Sequence, residues 1–161
     1  MSKTTKPVSL AELLKPEAIN LNVQARQKLA ALREIASLLL QNKSVTNFET
    51  FFHEILERER ISNTALGHDV AIPHARTDQC TEILIAVGRN LNGIDFESRD
   101  NGIVRLVFLI GTPKQMVTEY LRVVGNLARI LRRDDIRQQL LAAPDPATFI
   151  RIIAEAEAAM G

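Results

Sequence analysis

The alternation of hydrophobic and polar positions divides the chain into a helical first part, a strand-rich middle and a helical last part. Between residues 24 and 41, apolar side chains recur at helical spacing and predict one buried stripe. Its members are Leu29, Leu32, Ile35, Ala36 and Leu39. A second helix is predicted after residue 45, because Thr46 stands three residues before Glu49 in a capping box and apolar residues follow.

Apolar runs in the middle of the chain predict β-strands that are covered on both faces. Residues 70–72 and 83–87 are continuous apolar runs, and residues 104–110 form a third that only Arg105 interrupts. Runs without polar alternation are typical of strands packed between two layers. Turn signals at Asn92-Gly93 and Asp100-Asn101-Gly102 lie between the second and third runs.

Helical spacing returns after residue 111. Thr112 as cap and Pro113 as first helical residue predict the start of a helix. Its apolar stripe consists of Leu121, Val124, Leu127 and Leu131. Asp134 and the pair Asp145-Pro146 predict the starts of two further helices. This order of helices, strands and helices is expected of an α/β or α+β sandwich in which helices pack on a central sheet.

Length and composition indicate one domain with a sizeable core. The chain has 161 residues, of which 46% are hydrophobic, and chains of this size usually fold as one domain. We expect residues 1–8 to be a flexible tail and residues 9–158 to form the domain. The formal net charge of only +1 argues against nucleic-acid binding. No apolar run reaches the roughly 18 residues of a membrane-spanning helix, so we expect no membrane insertion.

His74 is the strongest candidate for chemistry among the three histidines. Pro73 fixes its own φ and forces Ile72 into extended backbone, so we expect the strand to end there and to place His74 at a rigid corner. Ligands of open α/β sheets collect at strand ends, and a neutral imidazole is a nucleophile near neutral pH. For His53, which stands among aromatic residues of a helix, a core-edge or surface position is the simpler interpretation.

Two arginines are candidates to bind a phosphorylated imidazole at this position. Such a group carries roughly two negative charges and requires forked donors, which Arg58 and Arg76 supply. The alternative is that Arg58 and Arg60 only pair with Glu54 and Glu57 on a solvated helix end.

Other chemistry lacks a supporting motif. The sequence contains no metal-ligand spacing, no hydrolase nucleophile elbow and no phosphate-binding glycine loop, so we expect no metal and no cofactor. The single cysteine, Cys80, excludes an internal disulfide and is consistent with a cytoplasmic protein.

Residues 57–74 resemble the signature of a known family. The stretch carries Arg58, Thr64, Gly67 and the sequence Ala-Ile-Pro-His that ends at His74. It is similar to the fructose/mannitol-type IIA domains of the bacterial phosphoenolpyruvate:sugar phosphotransferase system, in particular to the nitrogen-regulatory IIA proteins. The resemblance extends over residues 10–156 and includes the stretches 93–96, 100–102, 104–110 and 127–131.

The resemblance implies a fold and a role for the matched residues. His74 is expected to accept a phosphoryl group from a small histidine-phosphorylated carrier protein, and Arg58 to lie beside it. The fold of the family implies an α/β, single-domain sandwich with a central mixed β-sheet flanked by α-helices.

Two positions depart from the pattern of the family. Tyr120 stands where many members carry a second active-site histidine, and Ala75 stands where a glycine often follows the Pro-His pair. A phenol donates a hydrogen bond but carries no positive charge, and alanine restricts close backbone approach. We expect Tyr120, Thr64 and backbone N–H groups around Gly67 and Ala75 to support the phosphoryl group.

Two functions remain open on this basis. The first is a regulatory phosphocarrier, whose phosphorylation state controls binding to target proteins such as potassium transport or sensor proteins. A free-standing chain without attached IIB or IIC segments fits this branch. The second is a degenerate IIA-like protein that binds a partner independently of phosphorylation, as the departures at Tyr120 and Ala75 suggest. A metal-dependent enzyme is a remote third option.

Overall fold

One β-sheet with helices on both faces organises the computed structural model, which describes residues 9–100 and 102–160. Its strands are β1 (Ile19–Asn20), β2 (Ala65–Gly67), β3 (Val70–Ala71), β4 (His74–Thr77), β5 (Leu84–Ile94) and β6 (Val104–Pro113). Its helices are α1 (Leu10–Leu13), α2 (Lys28–Ala36), α3 (Phe48–Ile61), α4 (Val117–Leu131), α5 (Asp134–Ala142) and α6 (Pro146–Ala159). The predicted tail, residues 1–8, and Asn101 of the predicted turn lie outside the described residues.

The antiparallel pair β5 and β6 forms the centre of the sheet. β1 pairs in parallel with β5, while β3 and then β4 pair in parallel with β6. β2 completes the sheet by antiparallel pairing with β3. β5 continues through the predicted turn at Asn92-Gly93, with an irregular register between Arg89 and Ile94. The predicted sandwich with a central mixed β-sheet is confirmed.

The two faces of the sheet are covered by different helices. In β6, Leu106, Phe108 and Ile110 pack into the core formed with α1, α4, α5 and α6. The alternate residues Val107 and Leu109 pack into the core formed with α2 and α3. Because both faces are buried, β6 has no polar alternation, as its continuous apolar run predicted.

The predicted capping box at Thr46 is wrong by one residue. The N-cap of α3 is Asn47, whose side-chain oxygen accepts a hydrogen bond from Thr50 N at 3.0 Å. The Thr46 hydroxyl donates to Gln79 Oε1 at 2.7 Å, and Glu49 forms a salt bridge to α2. Both side chains of the predicted box are therefore engaged with other elements of the fold.

The predicted helix start at Thr112 and Pro113 is also wrong. Both residues belong to β6, because parallel pairing with β4 continues as far as Pro113, and α4 begins at Val117. The Thr112 hydroxyl caps nothing: it is buried without a hydrogen-bond partner in the part of the chain that the structure describes. The start predicted at Asp145 is confirmed, since its side chain accepts a hydrogen bond from the N–H of Thr148 at 2.7 Å.

The apolar stripes predicted for two helices each include one exposed leucine. Leu29 and Leu121 are 59% and 63% exposed. The faces that pack on the sheet are set by rows three and four residues apart. The buried residues of α2 are Ala31, Leu32, Ile35 and Ala36, and those of α4 are Val123, Leu127, Ile130 and Leu131.

Candidate active site

His74 is the first residue of β4 and follows a break in the strand that runs alongside β6. Pro73 has no N–H for the ladder, and the carbonyl of Ile72 accepts a hydrogen bond from His74 Nδ1 at 2.6 Å. Because a carbonyl oxygen can only accept, Nδ1 carries the proton and the lone pair of the neutral ring lies on Nε2. The sequence predicted a corner at the end of a strand, whereas His74 begins a further strand.

Alternation along β4 sends its side chains towards two different helices. Ala75 and Thr77 face α3. Ala75 belongs to the core formed with α2 and α3, and the Thr77 hydroxyl donates a hydrogen bond to Glu54 of α3. His74 and Arg76 lie on the opposite face. There the His74 ring lies 5.5 Å from the ring of Tyr120 on α4, measured between centroids. Of the described strands, only β6 pairs with β4, so no described strand covers the other edge of β4.

A cleft of about 500 Å³ opens at this edge of the sheet. It is lined by Glu54, Glu57, Arg58, Ile61, Ala75, Arg76, Lys114 and Tyr120. Arg58 comes from the last turn of α3, where its Nη1 donates to the carbonyl of Ser62 at 3.2 Å. Arg58 and Tyr120 line the same cleft, and the positive charge of Arg58 lowers the pKa of both His74 and Tyr120.

Burial favours the neutral forms of both rings of the site. Burial lowers the pKa of His74 below its ordinary 6.5, while the hydrogen bond to Ile72 acts in the opposite direction. Burial raises the pKa of Tyr120, and the charges of Arg58 and Arg76 lower it. At neutral pH an uncharged imidazole, which can act as a nucleophile, therefore lies beside a phenol of the cleft lining that can donate a hydrogen bond.

The alternative of two simple ion pairs at the end of α3 holds for only one of the two arginines. Arg60 pairs with Glu57 at 2.9 Å on the surface. Arg58 forms its hydrogen bond with the Ser62 carbonyl, and no carboxylate in residues 9–100 and 102–160 forms a salt bridge with it. Its positive charge is therefore available to an anion in the cleft.

Comparison with known proteins identifies the family of the chain. The model of the family described as "Phosphoenolpyruvate-dependent sugar phosphotransferase system, EIIA 2" matches residues 12–156. The chain belongs to this family. The resemblance inferred from residues 57–74 is thereby confirmed.

The relatives of this EIIA 2 chain include regulatory and sugar-specific proteins. A nitrogen regulatory protein of Bradyrhizobium diazoefficiens is 33% identical over 145 residues, which are 90% of this chain and 94% of that protein. The PTS system fructose-specific EIIABC component of Bacillus subtilis is 33% identical over 146 residues, 91% of this chain but 23% of that protein. The crystal structure of nitrogen regulatory protein IIA-Ntr from Neisseria meningitidis has a TM-score of 0.83 at 26% identity, covering 89% of this chain and 98% of that one. No described helix of the EIIA 2 chain is long and apolar enough to cross a membrane.

Thr64 lies next to the site but its side chain is bound to a buried carboxylate. Glu59, 4% exposed, accepts hydrogen bonds from Thr64 Oγ1 at 2.5 Å and from Thr64 N at 2.9 Å. Lys28 of α2 forms a salt bridge with the same carboxylate at 2.9 Å. The Thr64 carbonyl in turn accepts from the N–H of Ile72 at 3.2 Å, beside His74. Thr64 therefore connects the end of α3 to the backbone that holds the imidazole, a role that its sequence position did not reveal.

Replacing Glu59 with glutamine is expected to destabilise this EIIA 2 chain by about 2–3 kcal/mol, because the nearly buried ammonium of Lys28 loses its counter-charge. Urea denaturation followed by circular dichroism measures the difference. Glu57→Gln is the matched control, since Glu57 lies on the same helix in an exposed pair with Arg60, and it is expected to change the midpoint little. Equal midpoints for the two variants would contradict the role given to Glu59.

The structure brings Ala75 to the cleft but not Gly67. Ala75 directly follows His74 and lines the cleft. Gly67 pairs with Val70, which lies beside Leu106, whereas His74 lies beside Ile110. Leu106 and Ile110 are four residues apart on β6, which corresponds to about 13 Å at the rise per residue of a β-strand. Of the backbone N–H groups that were predicted to support a phosphoryl group, those around Ala75 are thus near His74. Those around Gly67 lie beyond the other end of β3.

No histidine and no cysteine is among the lining residues of the cleft, but the ring of His74 contacts the lining residue Tyr120. His53 is exposed on α3, and His68 is exposed in the turn between β2 and β3, where its φ is +53°. Cys80 is buried, and this burial raises the pKa of its thiol to about 12, so the sulfur is not a nucleophile at neutral pH. His74, whose ring lies 5.5 Å from the ring of the lining residue Tyr120, is therefore the candidate nucleophile beside the cleft.

A second cavity of about 580 Å³ lies elsewhere, near the start of β5. Charged residues such as Glu12, Lys43 and Glu82 line it together with aliphatic side chains, and no histidine or cysteine is among its lining residues. The smaller cleft beside His74 is the one that carries reactive groups.

Proposed function

We propose that this chain is a regulatory phosphocarrier that accepts a phosphoryl group on His74 Nε2 from a histidine-phosphorylated carrier protein. The observation that supports this most directly is the hydrogen bond from His74 Nδ1 to the Ile72 carbonyl. It holds the proton on one nitrogen and leaves the other as the nucleophile, beside a cleft that Arg58 and Tyr120 line.

The transfer exchanges one phosphorus–nitrogen bond for another. His74 Nε2 attacks the phosphorus in line with the leaving imidazole of the donor, so that the new bond forms as the old one breaks. The transition state is loose and spreads charge over three oxygens, which the Arg58 guanidinium stabilises and the Tyr120 hydroxyl can bind by a hydrogen bond. The leaving imidazole takes a proton from solvent. His74 keeps the proton on Nδ1, which stays hydrogen-bonded to the Ile72 carbonyl.

The regulatory part of the proposal concerns what the phosphorylated protein does next. The relative from Bradyrhizobium is named a nitrogen regulatory protein and is nearly equal in extent to this chain. By analogy, the phosphorylation state of His74 controls binding to target proteins in the cytoplasm, of which potassium transport and sensor proteins are the candidates. A change of roughly two negative charges beside a cleft that the exposed Ile61 lines alters this surface strongly.

Incubation with phosphoenolpyruvate and the two general proteins of the phosphotransferase system tests the proposal. We expect the intact mass to increase by one phosphoryl group, in a bond that acid breaks. A reaction without the carrier protein is the negative control, and a known IIA protein in the same tube is the positive control. An unlabelled chain beside a fully labelled control protein would overturn the proposal.

The titration of His74 provides a separate prediction. Because burial lowers the pKa of this imidazole, its NMR titration is expected to have a midpoint below pH 6.5, so that the ring is mostly neutral at pH 6.5. The folded state then binds fewer protons at His74 than the unfolded state, and this group reduces stability as the pH falls below about 6.5. A midpoint at or above pH 6.5 would contradict the desolvated environment.

One observation favours a second function, binding of a partner without phosphorylation. Tyr120 carries no positive charge at the position where it contacts His74, which reduces the electrostatic support for a phosphoryl group. If this alternative holds, a target protein binds the wild type and His74→Ala equally well. Binding that changes on phosphorylation of the wild type would exclude it.

A further inference from the structure

The guanidinium of Arg76 stacks on the same ring that contacts His74. Arg76 Cζ lies 5.9 Å from the centroid of the Tyr120 ring, within the range of a cation–π interaction. The His74 ring lies 5.5 Å from that ring. His74 and Arg76 are two residues apart on β4 and therefore project from the same face of the strand. Tyr120 thus lies against both the nucleophile and an arginine.

Arg76 is not neutralised by a carboxylate in the part of the chain that the structure describes, where it forms no salt bridge. The acidic residues of the cleft have other partners: Glu57 pairs with Arg60 at 2.9 Å, and Glu54 accepts from the Thr77 hydroxyl at 3.1 Å. The remaining cation of the cleft, Lys114, forms a salt bridge with Asp78, with 3.4 Å between Nζ and Oδ2. Arg58 and Arg76 are therefore the two cations of the cleft lining that form no salt bridge within the described residues, while Glu54 keeps its negative charge because its hydrogen-bond partner is a neutral hydroxyl.

We propose that Arg76 is a second phosphoryl-binding guanidinium of this site and that the ring of Tyr120 positions it. The inference rests on the proposed phosphorylation of His74. A phosphoryl group on Nε2 is dianionic and binds forked donors. Arg58 reaches it from α3, and Arg76 reaches it from β4 along the face that carries Tyr120. The phenol supplies a surface and one hydrogen bond, and the arginine stacked on it supplies the positive charge.

The test measures the second ionisation of the phosphoryl group by its ³¹P chemical shift as a function of pH. Phosphoramidate, a small phosphoryl donor, labels His74 chemically, so the experiment does not depend on the carrier protein. All variants are made in a His53→Gln, His68→Asn background, which leaves one histidine; asparagine tolerates the positive φ of residue 68. A guanidinium that binds the dianion lowers the pKa of the phosphoryl group.

Replacing Arg76 with glutamine is expected to raise the pKa of the phosphoryl group by about half a unit or more. The value for Arg76→Lys should lie between those of the unsubstituted Arg76 and Arg76→Gln. Arg151→Gln is the matched control for net charge, because Arg151 is exposed on α6, and it is expected to leave the pKa unchanged. Equal values for Arg76→Gln and Arg151→Gln would overturn the proposal.

Two variants of Tyr120 test whether the ring positions the arginine. Tyr120→Phe keeps the ring, so adding Arg76→Gln to it should still raise the pKa by the full amount. Tyr120→Leu removes the ring, so adding Arg76→Gln should then have less than half of that effect, a coupling that a double-mutant cycle measures. Equal effects of Arg76→Gln in both backgrounds would overturn the positioning role. A chain that shows these shifts with phosphoramidate but is never labelled by the carrier protein would refute the proposed function alone.

Discussion

Replacing His74 with glutamine abolishes phosphoryl acceptance from the carrier protein and leaves the fold intact. Glutamine keeps a polar group that can still donate to the Ile72 carbonyl, but it has no nucleophilic nitrogen. His74 is only partly buried at the open edge of β4, so the substitution creates no cavity in either core. Intact-mass spectrometry after incubation with the phosphorylated carrier measures the loss, and circular dichroism verifies the fold.

His53→Gln is the matched control for this variant. His53 is exposed on α3, whereas His74 is the histidine whose ring contacts Tyr120, so the replacement of His53 should leave the mass increase unchanged. If His74→Gln were labelled to the same extent as the wild type, the phosphoryl group would be on another residue and the assignment of the nucleophile would fail.

Replacing Arg58 with glutamine is expected to slow phosphoryl transfer by about 10², the usual effect of removing one charged donor from a transition state. The structural basis is that Arg58 lines the cleft without a carboxylate partner and acts electrostatically on both His74 and Tyr120. Rapid-quench measurement of a single turnover gives the rate. The same variant should raise the pKa of His74, since the charge of Arg58 lowers it in the wild type.

The neighbouring Arg60 provides the control for Arg58. Arg60→Gln makes the same change in net charge on the same helix turn, but Arg60 is exposed and paired with Glu57. Its transfer rate should stay within about twofold of the wild type, since exposed pairs contribute little. Arg58→Lys keeps the positive charge but loses the forked donors of the guanidinium, so we expect a rate between those of the wild type and Arg58→Gln. Equal rates for Arg58→Gln and Arg60→Gln would contradict a role of Arg58 in the transition state.

The sequence predicted the central strands of the fold better than the ends of its helices. The apolar runs at residues 83–87 and 104–110 correspond to β5 and β6 because both faces of these strands are buried. The start at Thr112-Pro113 was wrong because pairing with β4 extends β6 through a sequence that otherwise caps helices well. That pairing joins residues far apart in the chain, and local sequence contains no signal for it. β2 and β4 have only three and four residues and were not predicted.

The site was predictable where a chemical group stands in a recognisable motif, and not where burial decides its role. His74 and Arg58 follow from the signature at residues 57–74. Glu59 is in the same stretch, yet only the fold shows that its carboxylate is buried between Lys28 and Thr64. The contact of Arg76 with Tyr120 depends on β4 and α4 packing together, which neither residue indicates by its position in the chain.

The most direct test of the account is to determine which nitrogen of which histidine carries the phosphoryl group. Long-range ¹H–¹⁵N correlation spectra of the protein, labelled with ¹⁵N and phosphorylated by the carrier protein, distinguish the two ring nitrogens. We predict phosphorylation of His74 at Nε2, with Nδ1 still protonated and bonded to the Ile72 carbonyl. A phosphoryl group on Nδ1 of His74, or on His53 or His68, would contradict the account.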